Sequence, residues 1–211
     1  MSVLANSKSA EMLTPAKAPR IHPVDTNPRT ELLAHHEAAH AVVCFVLYGE
    51  QVIREVELFG DESGGHSGLT TFSLLPIPIV CRPSSGVPRR GNPAPVSPDA
   101  IADAHGVLSY AGIAGEALFQ RLALDDPCPE NLLDSDQTER FGRDRQALAR
   151  LADTVNLSRP SHTFYPEYWN EAHRLLRSHW SGVSSIAECL SVRGSLNGGR
   201  IDEVLCEAFP V

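Results

Sequence analysis

In the segment His36-Glu37-Ala38-Ala39-His40, two imidazoles stand four residues apart with a carboxylate beside the first. In a helix this spacing places His36 and His40 one turn apart on one face, where both rings can reach a single metal ion. Glu37 is rotated by about 100° from His36, close enough to reach a metal-bound water without ligating the metal. Zinc brings such a water to a pKa of about 7, and a carboxylate beside it can take the proton. The water then attacks a carbonyl polarised by the metal, and the protonated carboxyl returns its proton to a leaving amine. The H-E-x-x-H spacing therefore points to metal-assisted hydrolysis, with His36 and His40 as zinc ligands and Glu37 as general base. A solvated or hydrogen-bonded histidine pair is the plain structural alternative. The position of the segment on an apolar helical stripe weighs against it, because His and Glu are costly to bury there without a partner.

Two histidines do not complete a catalytic zinc site, which uses three protein ligands and one open position. His66, His105, Glu116, Asp134, Asp136, Asp144, His162, His173 and His179 all follow the motif, and periodicity does not choose among them. His35 falls on a different helix face and is not expected to ligate. The five cysteines are odd in number, widely spaced and form no C-x-x-C pair, so they indicate neither a cysteine zinc site nor a disulfide framework. Cys44, Cys189 and Cys206 lie in apolar helical patterns and read as small core residues.

The motif needs a rigid helix. Asn27 is a suitable N-cap and Pro28 a suitable first helical residue, and Gly49 is a suitable stop after Tyr48. Leu32, Leu33, Val43 and Leu47 recur at helical spacing, and His36 and His40 continue their stripe. QVIREVELF then reads as a strand, closed by the turn-rich GDESGGHSG, and GLTTFSLL can return beside it as a hairpin. Residues 76–98 hold seven prolines and read as an insertion or flap without regular structure. From the Ser97-Pro98 start signal onward the pattern is helical. SPDAIADAHGVLSYAGIAGEALFQRLA carries the small residues Ala111, Gly112, Ala114 and Gly115, which permit close packing. GRDRQALARLADTV, then PEYWNEAHRLLRSHWSGVSSIAECLSVRG as one long or two abutting helices, and the short amphipathic RIDEVLCEAF complete the chain. The order implies a mainly helical α+β domain over residues 26–211, preceded by a polar, aperiodic arm at residues 1–25 that reads as disordered.

The chain has 211 residues, is 42% hydrophobic and carries a formal charge of −8. That acidity argues against a nucleic-acid partner, which needs a basic face. The longest apolar run, Ala38 to Tyr48 interrupted by His40, is about half the roughly 20 residues of a membrane span. No apolar stretch of signal-peptide length opens the chain, so a cytoplasmic location without membrane contact is expected.

Around the motif, AHHEAAHAVV resembles the AYHEAGHAxV segment of the FtsH-type ATP-dependent zinc peptidases. The likeness continues in order. VIREVELF followed by SGLTTF resembles that family's strand pair, and LSYAGIAGEALF is similar to its LAGRAAEExxF helix. EAHRLLRSHWSGVSSIAECLSVRGSLNGGRIDEVL resembles its C-terminal helices, so the resemblance spans about residues 30–207. It implies a peptidase domain with a motif helix, a small β-hairpin or sheet and a C-terminal helical bundle. The implied activity is zinc-dependent cleavage of peptide bonds, by His36, His40 and Glu37.

In that family the third ligand is an Asp at the start of a later helix, and two positions here compete for the role. Asp144 places Leu148, Leu151, Ala152 and Val155 in the family's apolar register. Asp136 reproduces a Ser-Asp pair with Ser135 but sets Arg140 and Arg143 where apolar residues belong, so Asp144 is preferred. For either one the plain alternative is an Asp stabilised by a helix dipole. Glu116, acidic in an otherwise apolar helix, reads as the acceptor for a ligating imidazole rather than as a ligand.

The chain also departs from the family. It has no G-x-x-x-x-G-K-[ST] segment and no membrane span, Ala39 stands where the family has Gly, and residues 76–98 have no counterpart. A peptidase lacking its own unfoldase would handle peptides, unfolded proteins or flexible termini, with a separate ATPase or a homo-oligomer as the partners left open; the family's oligomeric state does not carry over. A catalytically degenerate peptidase fold kept as a binding or adaptor module is the competing expectation, but it gives an intact Glu37 no purpose.

Overall fold

Pro28 begins a helix of 21 residues, α1 (Pro28–Tyr48), which is interrupted by no further proline and ends before Gly49 at a φ of 84°. That left-handed backbone suits glycine and stops the helix. The computed structural model describes residues 28–60, 66–73, 98–120 and 166–209. The expected arm at 1–25, the proline-rich stretch up to Ser97, and the helix expected over 142–155 lie outside them, as does Asn27.

Two antiparallel strands follow, β1 (Ile53–Gly60) and β2 (His66–Phe72), with Val56 opposite Thr70 and Leu58 opposite Gly68. Then come α2 (Pro98–Phe119), α3 (Pro166–Ser178) and α4 (Trp180–Arg193). A three-residue strand β3 (Ser195–Asn197) and α5 (Gly198–Ala208) end the described chain. β3 pairs antiparallel with β1, so the sheet has three strands in the order β2-β1-β3. The architecture is α+β, mostly helical with one small antiparallel sheet. Among the described residues, no helix is long and apolar enough to cross a membrane.

α1 sits at the centre, with α2, α4 and the sheet all packed on it. The sequence reads as a one-sided stripe, yet Ala34, Ala38, Ala39, Ala41, Val42, Val43 and Cys44 are all fully buried. The small side chains let neighbours close in from every side, and a helix enclosed in this way needs no polar face. Two of the residues assigned to the stripe, Leu32 and Leu47, are only half-buried. On the far side of the core Leu176, Ile186, Leu190, Ile201 and Leu205 are fully buried, each contributing roughly 1.5–3 kcal/mol of burial.

The two readings left open for residues 166–194 resolve into two helices. His179 leaves the helical region at φ −122°, and its Nδ1 donates to the Leu175 carbonyl at 2.8 Å, closing the end of α3. The cysteine expectation needs correction. Cys44 is buried, with its thiol pushed up to about 12 by burial and, less strongly, by Asp202. Cys189 is half-buried and Cys206 exposed. α5 turns Ile201, Val204 and Leu205 inward, which leaves Cys206 about 100° further round on its outer side.

Candidate metal centre

Five of the buried polar residues lie on two antiparallel helices. His35, His36, Glu37 and His40 on α1 and Glu116 on α2 are each no more than 8% exposed. Groups of this kind stay buried only when their hydrogen bonds are met. His36 Nδ1 donates to Glu116 Oε1 at 2.8 Å, across 80 residues of chain. This is the bond expected of Glu116 from the sequence. His40 Nδ1 donates to the Leu108 carbonyl at 3.0 Å. A carbonyl oxygen can only accept, so the Nδ1 of His40 carries its proton, and the Glu116 carboxylate sets the same tautomer on His36.

With both Nδ1 atoms engaged in these bonds, the two Nε2 atoms face one another. They are 3.2 Å apart. Two lone pairs at that range repel unless a cation or a proton stands between them. Ligands about 2.0–2.1 Å from a tetrahedral zinc ion are roughly 3.3 Å from each other, so the pair fits the ion in donor type, tautomer and spacing. A ligating imidazole whose other nitrogen is held by a carboxylate or carbonyl is the usual supporting arrangement at such sites.

α2 can lie this close because of its glycines. Gly112 packs its bare Cα on the His36 ring, and a Cβ there would overlap the imidazole. One turn of helix separates Leu108, Gly112 and Glu116, so a single face of α2 bonds His40, makes room for His36 and then holds His36. Gly115 meets Ala39 in the same way, at 2.5 Å from a would-be Cβ. The small residues noted in the sequence therefore serve the site as well as the packing.

Glu37 is held from the opposite side. Thr70 on β2 donates its hydroxyl to Glu37 Oε2 at 2.6 Å and lies 3.3 Å from the Glu37 carbonyl. A Cβ on Gly68 would come within 2.5 Å of Glu37 Cγ and Oε1. Sequence reasoning reads the strand near Gly68 to Phe72 as an edge for substrate but gives neither residue a role toward Glu37. The signal was available, since Gly68 and Thr70 are two apart in a strand and must share one face. The carbonyl of Leu108 had no such signal, because main-chain acceptors are common to every sequence.

His35, adjacent to the motif, faces elsewhere as expected. Its Nδ1 donates to the Glu31 carbonyl at 2.8 Å, and its ring stacks on Phe119 at 3.9 Å and on Trp180 at 5.7 Å. Burial pushes this imidazole below its usual range, against the smaller opposing effect of the Glu31 carbonyl and charge.

Three of the other candidate ligands pack on aromatic rings away from His36 and His40. His105 packs on Tyr48, His173 on Trp169, and His179 on Phe209. Among the described residues, no group of three His, Cys, Asp or Glu side chains comes together to hold a metal ion. Asp144, its competitor Asp136, Asp134 and His162 lie outside the described residues, as does the side chain of His66. No family model matches the chain, and no curated protein matches it either.

Proposed function

We propose that this chain is a zinc-dependent metallopeptidase domain of the FtsH type, hydrolysing peptide bonds in peptides or unfolded proteins. The observation that carries the reading is the facing pair of imidazole nitrogens, 3.2 Å apart with both Nδ1 protons committed elsewhere. His36 and His40 would hold the ion, and Asp144, or else Asp136, would be the third ligand. The motif helix, hairpin and later helices occur in the order that the family resemblance implies. Bound there, zinc would supply a Lewis acid for the scissile carbonyl and bring water to a pKa of about 7.

The chain's own residues do the rest. Glu37 follows His36 on α1 and is buried, and its carboxylate would take a proton from the attacking water and return it to the leaving amine nitrogen. Glu116 and the Leu108 carbonyl keep both rings in the ligating tautomer. Among the described residues β2 pairs with β1 alone, and its other side would offer main-chain groups to an extended peptide.

Zinc analysis of the purified protein and of Glu37→Gln, with cleavage of an unfolded casein, tests the proposal. One zinc per chain in both proteins is expected, with turnover by the parent and a loss of about 1000-fold or more in the variant. A wild-type protein that binds no zinc, or an active Glu37→Gln, overturns it. Zinc bound by a wild-type protein that cleaves nothing favours the binding or adaptor module instead.

A further inference from the structure

The peptidase reading assigns a role to Glu37 but does not say what aims it. A glutamate has three side-chain torsions, and proton transfer needs its carboxylate within hydrogen-bond reach of the reacting groups. The helix fixes only where the Cα of Glu37 stands. The contacts on its carboxylate come from β2.

We propose that Thr70 is the positioning residue for Glu37, with Gly68 as the space that makes its hold possible. The inference rests on the peptidase reading, and it names how the base of that site is set. The Thr70 hydroxyl donates to Oε2 at 2.6 Å, a short bond. That bond commits one carboxylate oxygen and leaves Oε1, lying against the bare Cα of Gly68, as the oxygen that exchanges the proton. Any side chain at 68 would drive Glu37 from this place. Threonine is itself stiff at χ1, so its hydroxyl is a fixed point rather than a mobile one.

The placement of this hold on β2 matters. Gly68 and Thr70 face α1, opposite Leu58 and Val56, whereas Ser67, Leu69 and Thr71 alternate onto the other face. β2 is also an edge strand of the sheet among the described residues. A peptide pairing along that edge would bond to the main chain of β2, while the side chains of the same strand hold the base. Substrate backbone and general base are then registered by one element, and changing the Thr70 side chain disturbs the second without touching the first.

The test compares two variants of the full chain, loaded with zinc and cleaving fluorophore-labelled casein. Thr70→Val keeps the branched shape and removes the hydroxyl; Thr70→Ser keeps the hydroxyl. Thr70→Val is expected to lower kcat by roughly 10–100-fold with KM held within about threefold and zinc content unchanged. Thr70→Ser should restore most of the rate. Crystal structures give a readout without turnover: the Glu37 carboxylate should be rotated or spread over several rotamers in Thr70→Val and ordered in Thr70→Ser. A Thr70→Val protein with wild-type kcat, one whose Glu37 keeps its place, or equal losses in both variants would each overturn the proposal. If the wild-type protein neither binds zinc nor cleaves casein, the peptidase reading falls, and the crystal structures alone decide whether Thr70 holds Glu37. Should Thr70→Val not fold, Gly68→Ala crowds the carboxylate from the other side and must give the same loss of kcat and a displaced Glu37.

Discussion

Glu116 and Glu171 are both helical glutamates, and each is bonded to a basic side chain at 2.6–2.8 Å. Glu116 lies at the junction of α1 and α2, reaches a partner 80 residues away and is almost fully buried, as is His36. Glu171 lies on the outer face of α3, grips Arg174 three residues along, and both side chains are exposed. Bond length does not separate the two pairs; surroundings do. Water already solvates Glu171 and Arg174 when they are apart, so their contact gains little. Around Glu116 there is little water to take a partner's place, and removing one member leaves a buried polar group stranded. In this chain short polar contacts inform about function where the rest of the core would have been cheaper to build from apolar residues.

The largest break in that comparison comes from a residue with no polar atoms in its side chain. Gly112→Ala places a methyl group in the His36 ring, and the ring must move or the two helices must part. Overpacking of this kind costs about 1–3 kcal/mol of stability. Displacing His36 also separates it from Glu116 and from His40. Zinc affinity should therefore fall by more than the roughly 10–100-fold that loss of a supporting partner alone produces. Competition with a chelating dye measures this directly. Wild-type zinc affinity in Gly112→Ala would mean that the ring position is not what the site depends on.

Glu116→Gln is gentler, since the amide oxygen can still accept from His36 Nδ1. The shape is kept and the charge is lost. Zinc binding should weaken by about 10–100-fold with little change in unfolding midpoint. A change below twofold would show that Glu116 serves packing alone and has no part in tuning the ring. The matching change on α3, Glu171→Gln, should leave zinc affinity where it was.

The same contrast explains what could be read from the sequence. Helix limits were legible where Pro28, Gly49 and Pro98 mark them, and the hairpin where Val56 and Leu58 alternate with charges. His36, Glu37 and His40 were legible from spacing, and Glu116 because a charge in an apolar helix requires a reason. β3 was not legible: three residues carry no periodicity, and Ser195–Asn197 becomes a strand only because β1 offers it an edge. Nor was the enclosure of α1 on all sides, which depends on how many neighbours reach its alanines. Thr70 and Gly68 were hidden for a related reason. A hydroxyl and a missing side chain gain meaning only once a strand is laid across a particular helix turn. The two aspartates proposed for the third ligand, Asp144 and Asp136, lie outside the described residues, so their choice rests on register alone.

The smallest effect should come from the best-looking ion pair among the described residues. Arg174 gives Glu171 two parallel bonds, Nε to Oε2 at 2.7 Å and Nη2 to Oε1 at 2.6 Å, which is the most favourable geometry such a pair can adopt. The bonds to Glu171 raise the Arg174 guanidinium further above its already high range, so the guanidinium keeps its charge. If geometry governed stability, Arg174→Ala would be costly. Exposure governs it instead, because the pair is screened by water and must immobilise two long side chains. Arg174→Ala is therefore expected to change unfolding free energy by about 0.5 kcal/mol or less in urea titrations, and by less still in about 1 M salt, where the screening length is roughly 3 Å. A loss above about 1 kcal/mol would break the contrast between α3 and the α1–α2 junction. It would mean that ideal pairing geometry outweighs exposure even at the surface of this protein.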